Sequence, residues 1–157
     1  MRVYLGSDHA GFELKEQLVA ELSAAGHETV DIGPPSYDAE DDYPAYCLAT
    51  GAAVVADSGS LGVVIGGSGN GEQIAANKVN GVRAALCHDE FTARLARQHN
   101  NANVLAFGAR VLADAYALAV VDLFLGTDFE GGRHQPRLDQ LTAIEQQECE
   151  KKGAPPS

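Results

Sequence analysis

The sequence is poor in cysteine and in basic residues, and it contains no long apolar run. Its three cysteines, Cys47, Cys87 and Cys149, lack the spacing of a metal site, and their odd number is typical of a chain in a reducing compartment. Lysine and arginine number 11 against 22 acidic residues, and the formal charge of −11 disfavours a nucleic-acid or anionic-membrane partner. No apolar segment approaches membrane-spanning length, and residues 1–6 are too short for a signal peptide. These absences predict a soluble, cytoplasmic protein.

The length and composition of the chain predict one globular domain. It has 157 residues, of which 45% are apolar, so it can bury a full hydrophobic core without disulfide bridges. It shows no internal repeat and no low-complexity segment. We expect a single domain over residues 1–150 and a flexible C-terminal tail over residues 151–157.

Short apolar runs alternate with amphipathic stretches along the chain. Leu14, Leu18 and Leu22 recur at helical spacing, whereas residues 61–65 form a continuous apolar run of strand length. The pattern predicts strands at 3–5, 28–32, 61–65, 83–86 and 104–107, and helices near 14–25, 44–56, 72–78, 90–98, 113–125 and 136–150. This alternation predicts an α/β fold, a Rossmann-like three-layer sandwich with a five-stranded parallel sheet and helices on both faces.

A glycine-rich turn, Gly-Gly-Ser-Gly-Asn-Gly at residues 66–71, follows the continuous apolar strand. Its glycines let the backbone approach a ligand, and the helix after it adds a positive end, so an anion or oxyanion would be stabilised there. A tight structural turn is the alternative. The turn lacks the Gly-Lys-Ser/Thr of a P-loop, and a dinucleotide fingerprint belongs after the first strand. Glu72 would repel a phosphate, which favours a base beside an oxyanion pocket over a nucleotide clamp.

Polar residues elsewhere have both a functional and a structural interpretation. Asp8 and His9 follow the first strand, where Asp8 also suits a helix N-cap and His9 a surface position. The His-Asn-Asn segment at 99–101 ends a helix and also suits a C-terminal cap. The basic segment at 133–137 is either a solvated helix start or a phosphate site. The acidic residues at 38–42 predict a solvated loop.

The histidines and cysteines do not predict a metal site. The five histidines are scattered, and only the adjacent Cys87 and His88 bring the two residue types together. No cysteine lies on either polar turn, so a cysteine nucleophile has no support in the sequence.

Four segments together resemble type B ribose-5-phosphate isomerases. They are residues 6–11 (Gly-Ser-Asp-His-Ala-Gly), 66–72 (the glycine-rich turn with Glu72), 75–78 (Ala-Ala-Asn-Lys) and 99–102 (His-Asn-Asn-Ala), within a resemblance over 1–141. The resemblance implies a Rossmann-like fold, no metal or organic cofactor, and interconversion of ribose 5-phosphate and ribulose 5-phosphate. Relatives act on galactose 6-phosphate, allose 6-phosphate and tetrose phosphates. Many members have a cysteine base where Ser68 stands here, which implies the subgroup that uses a glutamate four residues later, Glu72.

The resemblance also implies a role for each matched residue. Glu72 would be the proton-transfer base, Asp8 and His99 would open the sugar ring, and backbone N–H groups around Ser68 would hold the enediolate oxygen. The remaining implied substrate-binding residues are the phosphate ligands His9, Arg110, Arg133 and Arg137, the sugar-pocket residues Tyr43 and Asn100, and the loop residues Gly67, Gly69, Asn70 and Gly71.

The topology predicts that His99, at the far end of a helix, lies away from Glu72 of its own subunit. A catalytic His99 then requires a homo-oligomer, dimer or tetramer, with an active site shared between subunits, as the resemblance implies. Other interpretations are an isomerase of another four- to six-carbon sugar phosphate and a non-catalytic sugar-phosphate-binding module. A binding module has no need of an acidic group beside its oxyanion donors, so Glu72 argues against it. A hydrolase lacks an evident nucleophile and base pair.

Overall fold

The computed structural model describes residues 1–153 and forms one parallel sheet covered by helices. The strands are β1 (Arg2–Ser7), β2 (Glu28–Gly33), β3 (Leu61–Gly66), β4 (Ala84–Leu86) and β5 (Val104–Gly108). The helices are α1 (Phe12–Ala24), α2 (Tyr43–Ala56), α3 (Asn70–Ala76), α4 (Glu90–Asn100), α5 (Asp114–Leu125) and α6 (Gln135–Gly153), with short 3₁₀ turns at His9–Gly11 and Gly132–His134. The strand order β2-β1-β3-β5-β4 confirms the predicted α/β sandwich.

The central strands β3 and β5 are buried along their whole length and separate two cores. Ile65 and Phe107 pack on one face against α1, α4 and α5, and Val64 and Ala106 pack on the other against α2 and α3. A strand covered on both faces needs apolar side chains at every position, which explains the unbroken apolar run of β3. The two strands therefore form a rigid support whose carboxyl ends carry the glycine-rich turn.

The six helices all lie near their predicted positions, and three of them differ from the predicted bounds in ways that affect the site or the C-terminus. α3 begins at Asn70 rather than at Glu72, because Gly69 adopts a left-handed conformation (φ 83°) and serves as the N-cap. α4 includes His99 and Asn100, and Asn101 caps it with φ 44°. α6 continues to Gly153, so residues 151–153 of the expected tail are helical, and 154–157 lie outside the described residues.

Helix α6 buries little of its surface against the rest of the chain. Leu138 is buried, whereas Leu141 and Ile144 are 52% and 55% exposed. Two hydrogen bonds join the helix to the segment before β4: the backbone N–H of Gly81 donates to Glu145 (2.9 Å), and the side-chain amide of Asn80 donates to Cys149 Sγ (2.8 Å). An apolar helix stripe in water is unfavourable, which leaves this face available for a partner. In the described part of the chain, no helix has both the length and the apolar character needed to span a bilayer.

Candidate active site

The glycine-rich turn packs tightly on β5 and on the side chains around it. A Cβ on Gly69 would lie 2.7 Å from the backbone of Phe107, so the turn sits directly on the neighbouring strand. A Cβ on Gly66 would overlap the Glu72 carboxylate, and one on Gly71 would lie 2.5 Å from the Tyr43 ring. The glycines are therefore needed for packing within the protein. The structural interpretation of the turn is therefore correct, and the Glu72 and Tyr43 side chains that pack against the glycines also line a cavity.

Glu72 lies in the first turn of α3 and is only 3% exposed. Burial raises the pKa of its carboxyl group, and the nearby charge of Asp8 raises it further. Hydrogen bonds from the backbone N–H groups of Glu72 and Gly69 act in the opposite direction, with burial the largest influence. A carboxylate with a raised pKa in a cleft is well suited to accept and return a proton.

Asp8 is both a cap and a neighbour of Glu72. Its Oδ1 accepts hydrogen bonds from the backbone N–H groups of Ala10 (2.9 Å) and Gly11 (3.3 Å), and it caps the 3₁₀ turn after β1. The structural interpretation of Asp8 is therefore correct. The same side chain is 7% exposed and faces the cavity beside Glu72, so the cap also fixes its position in the candidate site.

A cavity of about 540 Å³ opens at the carboxyl ends of β1, β3 and β5, and we call it the glutamate cavity. Its lining residues are Asp8, Tyr43, Gly67, Ser68, Gly71, Glu72, Arg110 and Val111. Ser68 is exposed, and its Oγ accepts a hydrogen bond from the backbone N–H of Asn70 (3.3 Å). The carboxyl ends of the strands are where ligands bind in open α/β folds.

His9 is held at this end of the sheet by Asp41, a residue that the sequence assigned to a solvated loop. Asp41 Oδ1 accepts hydrogen bonds from the His9 backbone N–H (2.8 Å) and from Nδ1 (2.9 Å), and the Asp41 side chain is 6% exposed. The prediction of a solvated loop is wrong for this residue. The hydrogen bond to Asp41 raises the pKa of His9.

His99, Asn100, Arg133 and Arg137 form a second cluster. They line a cavity of about 590 Å³ together with Glu130 and His134, and we call it the arginine cavity. The rings of His99 and His134 stack with their centroids 4.1 Å apart, and Glu130 lies 3.6 Å from Nε2 of His134. Burial and the neighbouring cations lower the pKa of His134. Neither Glu130 nor His134 stands out in the sequence as a site residue, although His134 lies inside the basic segment.

The two cavities lie at opposite ends of the sheet. The backbone carbonyl of Asn103, just after α4, accepts a hydrogen bond from the N–H of Gly62 (2.9 Å), near the amino end of β3. Glu72 follows the carboxyl end of the same strand. Because five or six strand residues span roughly 15–20 Å, His99 cannot reach Glu72 of its own chain. The two cavities are therefore separate within one chain.

One group of side chains in residues 1–153 has the composition of a metal site. Ligand atoms of His99, Glu130 and His134 lie within 4.8 Å of one another. Arg133 and Arg137 line the same cavity. Two guanidinium groups repel a cation and attract a phosphate, so the surroundings suit an anion better.

The buried cysteines are poorly suited to act as nucleophiles. Burial raises the pKa of Cys47 to about 12 and that of Cys87 to about 11, so both remain thiols at neutral pH. Neither lines the glutamate cavity. Among the described residues that line it, Glu72 is the carboxylate at the glycine-rich turn.

Comparisons with known proteins place this geometry in a family. A family model described as ribose/galactose isomerase matches residues 3–141. Ribose-5-phosphate isomerase B of Mycolicibacterium paratuberculosis is 58% identical over 146 residues, 92% of each chain, and that of Escherichia coli is 46% identical over 92% of this chain and 97% of its own. The crystal structure of the Mycoplasma genitalium enzyme with bound ribulose-5-phosphate has a TM-score of 0.89 and 44% identity, and it covers 92% of this chain and 96% of that one. The chain belongs to the ribose/galactose isomerase family.

Proposed function

We propose that this protein interconverts ribose 5-phosphate and ribulose 5-phosphate through an enediolate, with Glu72 as the base. The observation that carries the proposal is the buried Glu72 carboxylate at the start of α3, in the glutamate cavity and beside the glycine-rich turn. Relatives named ribose-5-phosphate isomerase B and the ribulose-5-phosphate bound to the Mycoplasma genitalium enzyme support the substrate.

Glu72 moves the proton of the isomerisation. Its carboxylate takes the proton from C2 of the open-chain aldose, and the electron pair left behind forms the enediolate. The same carboxyl group then returns the proton to C1, while the hydroxyl proton passes from the oxygen at C2 to the oxygen at C1, so that the two oxygens exchange the roles of hydroxyl and carbonyl. Backbone N–H groups of Ser68, Gly69 and Gly71 stabilise the negative oxygen at the positive end of α3. Gly67 and Asn70 complete this loop around the reacting carbons.

The other candidate residues open and hold the sugar phosphate. Asp8 and His99 exchange protons with the anomeric hydroxyl and the ring oxygen as the ring opens. The phosphate is held by His9 and Arg110 on one side and by Arg133 and Arg137 on the other, and Tyr43 and Asn100 line the sugar pocket. Tyr43 and Arg110 lie in the glutamate cavity, whereas Asn100 and the other two arginines lie in the arginine cavity.

The complete site lies between two copies of the chain. The glutamate cavity of one copy supplies the base, and the arginine cavity of the other supplies His99 and two phosphate ligands. The separation of the cavities along β3 supports this arrangement. The exposed apolar residues Leu141 and Ile144 of α6, together with Phe91 at 70% exposure, give the chain a surface that a second copy could cover.

The competing interpretations are an isomerase of another four- to six-carbon sugar phosphate and a non-catalytic binding module. A panel of aldose phosphates from erythrose 4-phosphate to allose 6-phosphate, assayed for ketose formation, separates them. We expect the highest kcat/KM with ribose 5-phosphate. A higher value with another sugar would change the substrate, and binding of every sugar without turnover would contradict the enzyme assignment.

A further inference from the structure

Asp41 is an unusual carboxylate for an acidic loop. Its side chain is 6% exposed, and Oδ1 carries both hydrogen bonds to His9. The second oxygen, Oδ2, is buried without a hydrogen-bond partner in residues 1–153. Leaving such an oxygen unpaired is costly, so stability alone does not explain why an aspartate stands at this position.

The contact with Asp41 determines which ring nitrogen of His9 carries a proton. Because Nδ1 faces a carboxylate that only accepts hydrogen bonds, Nδ1 carries a proton. In neutral imidazole, Nε2 then has no proton and can only accept. A phosphate dianion also only accepts, so His9 helps to bind phosphate only when both ring nitrogens are protonated.

We propose that Asp41 is a positioning residue, which orients His9 through Nδ1 and keeps it an imidazolium whose Nε2 donates to the phosphate of the substrate. This rests on the proposed function, in which His9 is a phosphate ligand. The pair thereby extends towards higher pH the range over which His9 carries a charge and can donate to phosphate.

The electrostatic surroundings of His9 support this role. The hydrogen bond to Asp41 is the largest influence that raises the pKa of His9, and the charges of Asp8 and Asp41 add to it, while burial opposes it. From α2, Tyr46 faces the same region: its pKa is raised by burial first, then by the charges of Asp41 and Asp38 and by a side-chain contact with Asp41, and Lys15 of α1 acts in the opposite direction. β3 packs against the turn with the apolar Ile65.

The fold holds the start of the acidic loop firmly. Lys15, which is fully buried, donates hydrogen bonds from Nζ to Asp31 (2.6 and 2.7 Å) and to the backbone carbonyl of Pro34 (3.1 Å). Further along, the backbone N–H of Asp41 donates to the carbonyl of Asp38 (3.2 Å). Asp41 is thus in place before a ligand arrives.

The test compares Asp41→Asn with Glu40→Gln, which removes one charge from an exposed position of the same loop. In Asp41→Asn the pKa of His9 falls towards its ordinary value, so at pH 8 the imidazole is largely neutral, and KM for ribose 5-phosphate rises about tenfold through the loss of one charge-assisted hydrogen bond. At pH 6 both enzymes carry the charge, and the difference falls to about threefold or less, with kcat little changed at either pH. Glu40→Gln should match the wild type.

Two further measurements keep the outcome decisive. An NMR titration of the His9 imidazole should show a lower pKa in Asp41→Asn, and in a His9→Asn background the Asp41 substitution should change KM no further. An unchanged His9 titration, or equal KM ratios at both pH values, would overturn the proposal.

Calorimetry with inorganic phosphate separates this claim from the function. One outcome is that phosphate binding weakens in Asp41→Asn at pH 8 but not at pH 6 while the wild-type enzyme isomerises no sugar. That result would support the role of Asp41 and contradict the proposed function. Normal isomerisation by the wild type without that pH-dependent weakening would contradict the role of Asp41 and leave the proposed function intact.

Discussion

At the scale of single residues, two opposing effects act on the pKa of Glu72: burial raises it, and backbone hydrogen bonds lower it. Its place after the glycine-rich turn is visible in the sequence, and so is its position at a helix start. Its burial is not visible, because it depends on how closely the carboxylate packs on Gly66, and neither is the nearby charge of Asp8, which follows a distant strand. The sequence could therefore identify the residue but not the direction of its pKa shift.

The role of Glu72 can be tested by removing its charge alone. Glu72→Gln should retain the fold and sugar-phosphate binding but lower kcat by at least about 10²-fold, the low end for a positioned base. Ser68→Ala is the matched control in the same turn, and it should cost far less because the backbone donors remain. Steady-state kinetics of both variants give the comparison. A Glu72→Gln enzyme with near-normal kcat would rule out Glu72 as the base.

The raised pKa of Glu72 predicts an effect of pH. The base works in its ionised form, so activity should fall on acidification at a pH above the ordinary glutamate range. Asp8→Asn removes a nearby negative charge while preserving a capping oxygen, and it should lower the pKa of Glu72. A carboxyl NMR titration measures the pKa of Glu72 in the wild type and in Asp8→Asn. The Glu72→Gln variant assigns the Glu72 signal, and Glu13→Gln, at an exposed position, is the control. No downward shift in Asp8→Asn would show that the two carboxylates are not coupled.

At the scale of elements, the apolar pattern predicted the strands well and the helix ends less well. The run at 61–65 matches β3 because a strand buried on both faces leaves no polar position. The start of α3 was missed because it depends on the left-handed Gly69 rather than on periodicity. Asp41 was misplaced because its partner His9 lies 32 positions away, beyond any local pattern.

The start of α6 supplies the proposed phosphate contacts of the arginine cavity. Arg137 lies in its first turn and donates a hydrogen bond to the carbonyl of Arg133 (3.1 Å). Because a charge-assisted hydrogen bond contributes about 1.5–3 kcal/mol, Arg137→Ala should raise KM for ribose 5-phosphate by about 10- to 100-fold with a smaller effect on kcat. Arg94→Ala, at an exposed position of α4, is the control. Equal KM values in the two variants would remove Arg137 from the phosphate site.

At the scale of the whole molecule, the central feature is the division of the proposed active-site residues between two cavities. The sequence allowed this inference because a helix that follows a parallel strand returns the chain to the opposite end of the sheet. It did not predict the stacking of His99 on His134, since that contact joins α4 to the segment before α6. The division means that one chain alone places the proposed base, Glu72, far from His99.

Mixing two inactive variants tests this division most directly. Glu72→Gln and His99→Ala chains are each expected to be inactive, and a hybrid dimer of the two contains one site with both native residues. After random exchange at equal amounts, half of the dimers are hybrids with one working site of two, so activity should recover to about one quarter of the wild-type value. Subunit exchange is verified by native mass spectrometry. Recovery near that fraction would support a site completed by a second copy, and no recovery despite proven exchange would contradict it.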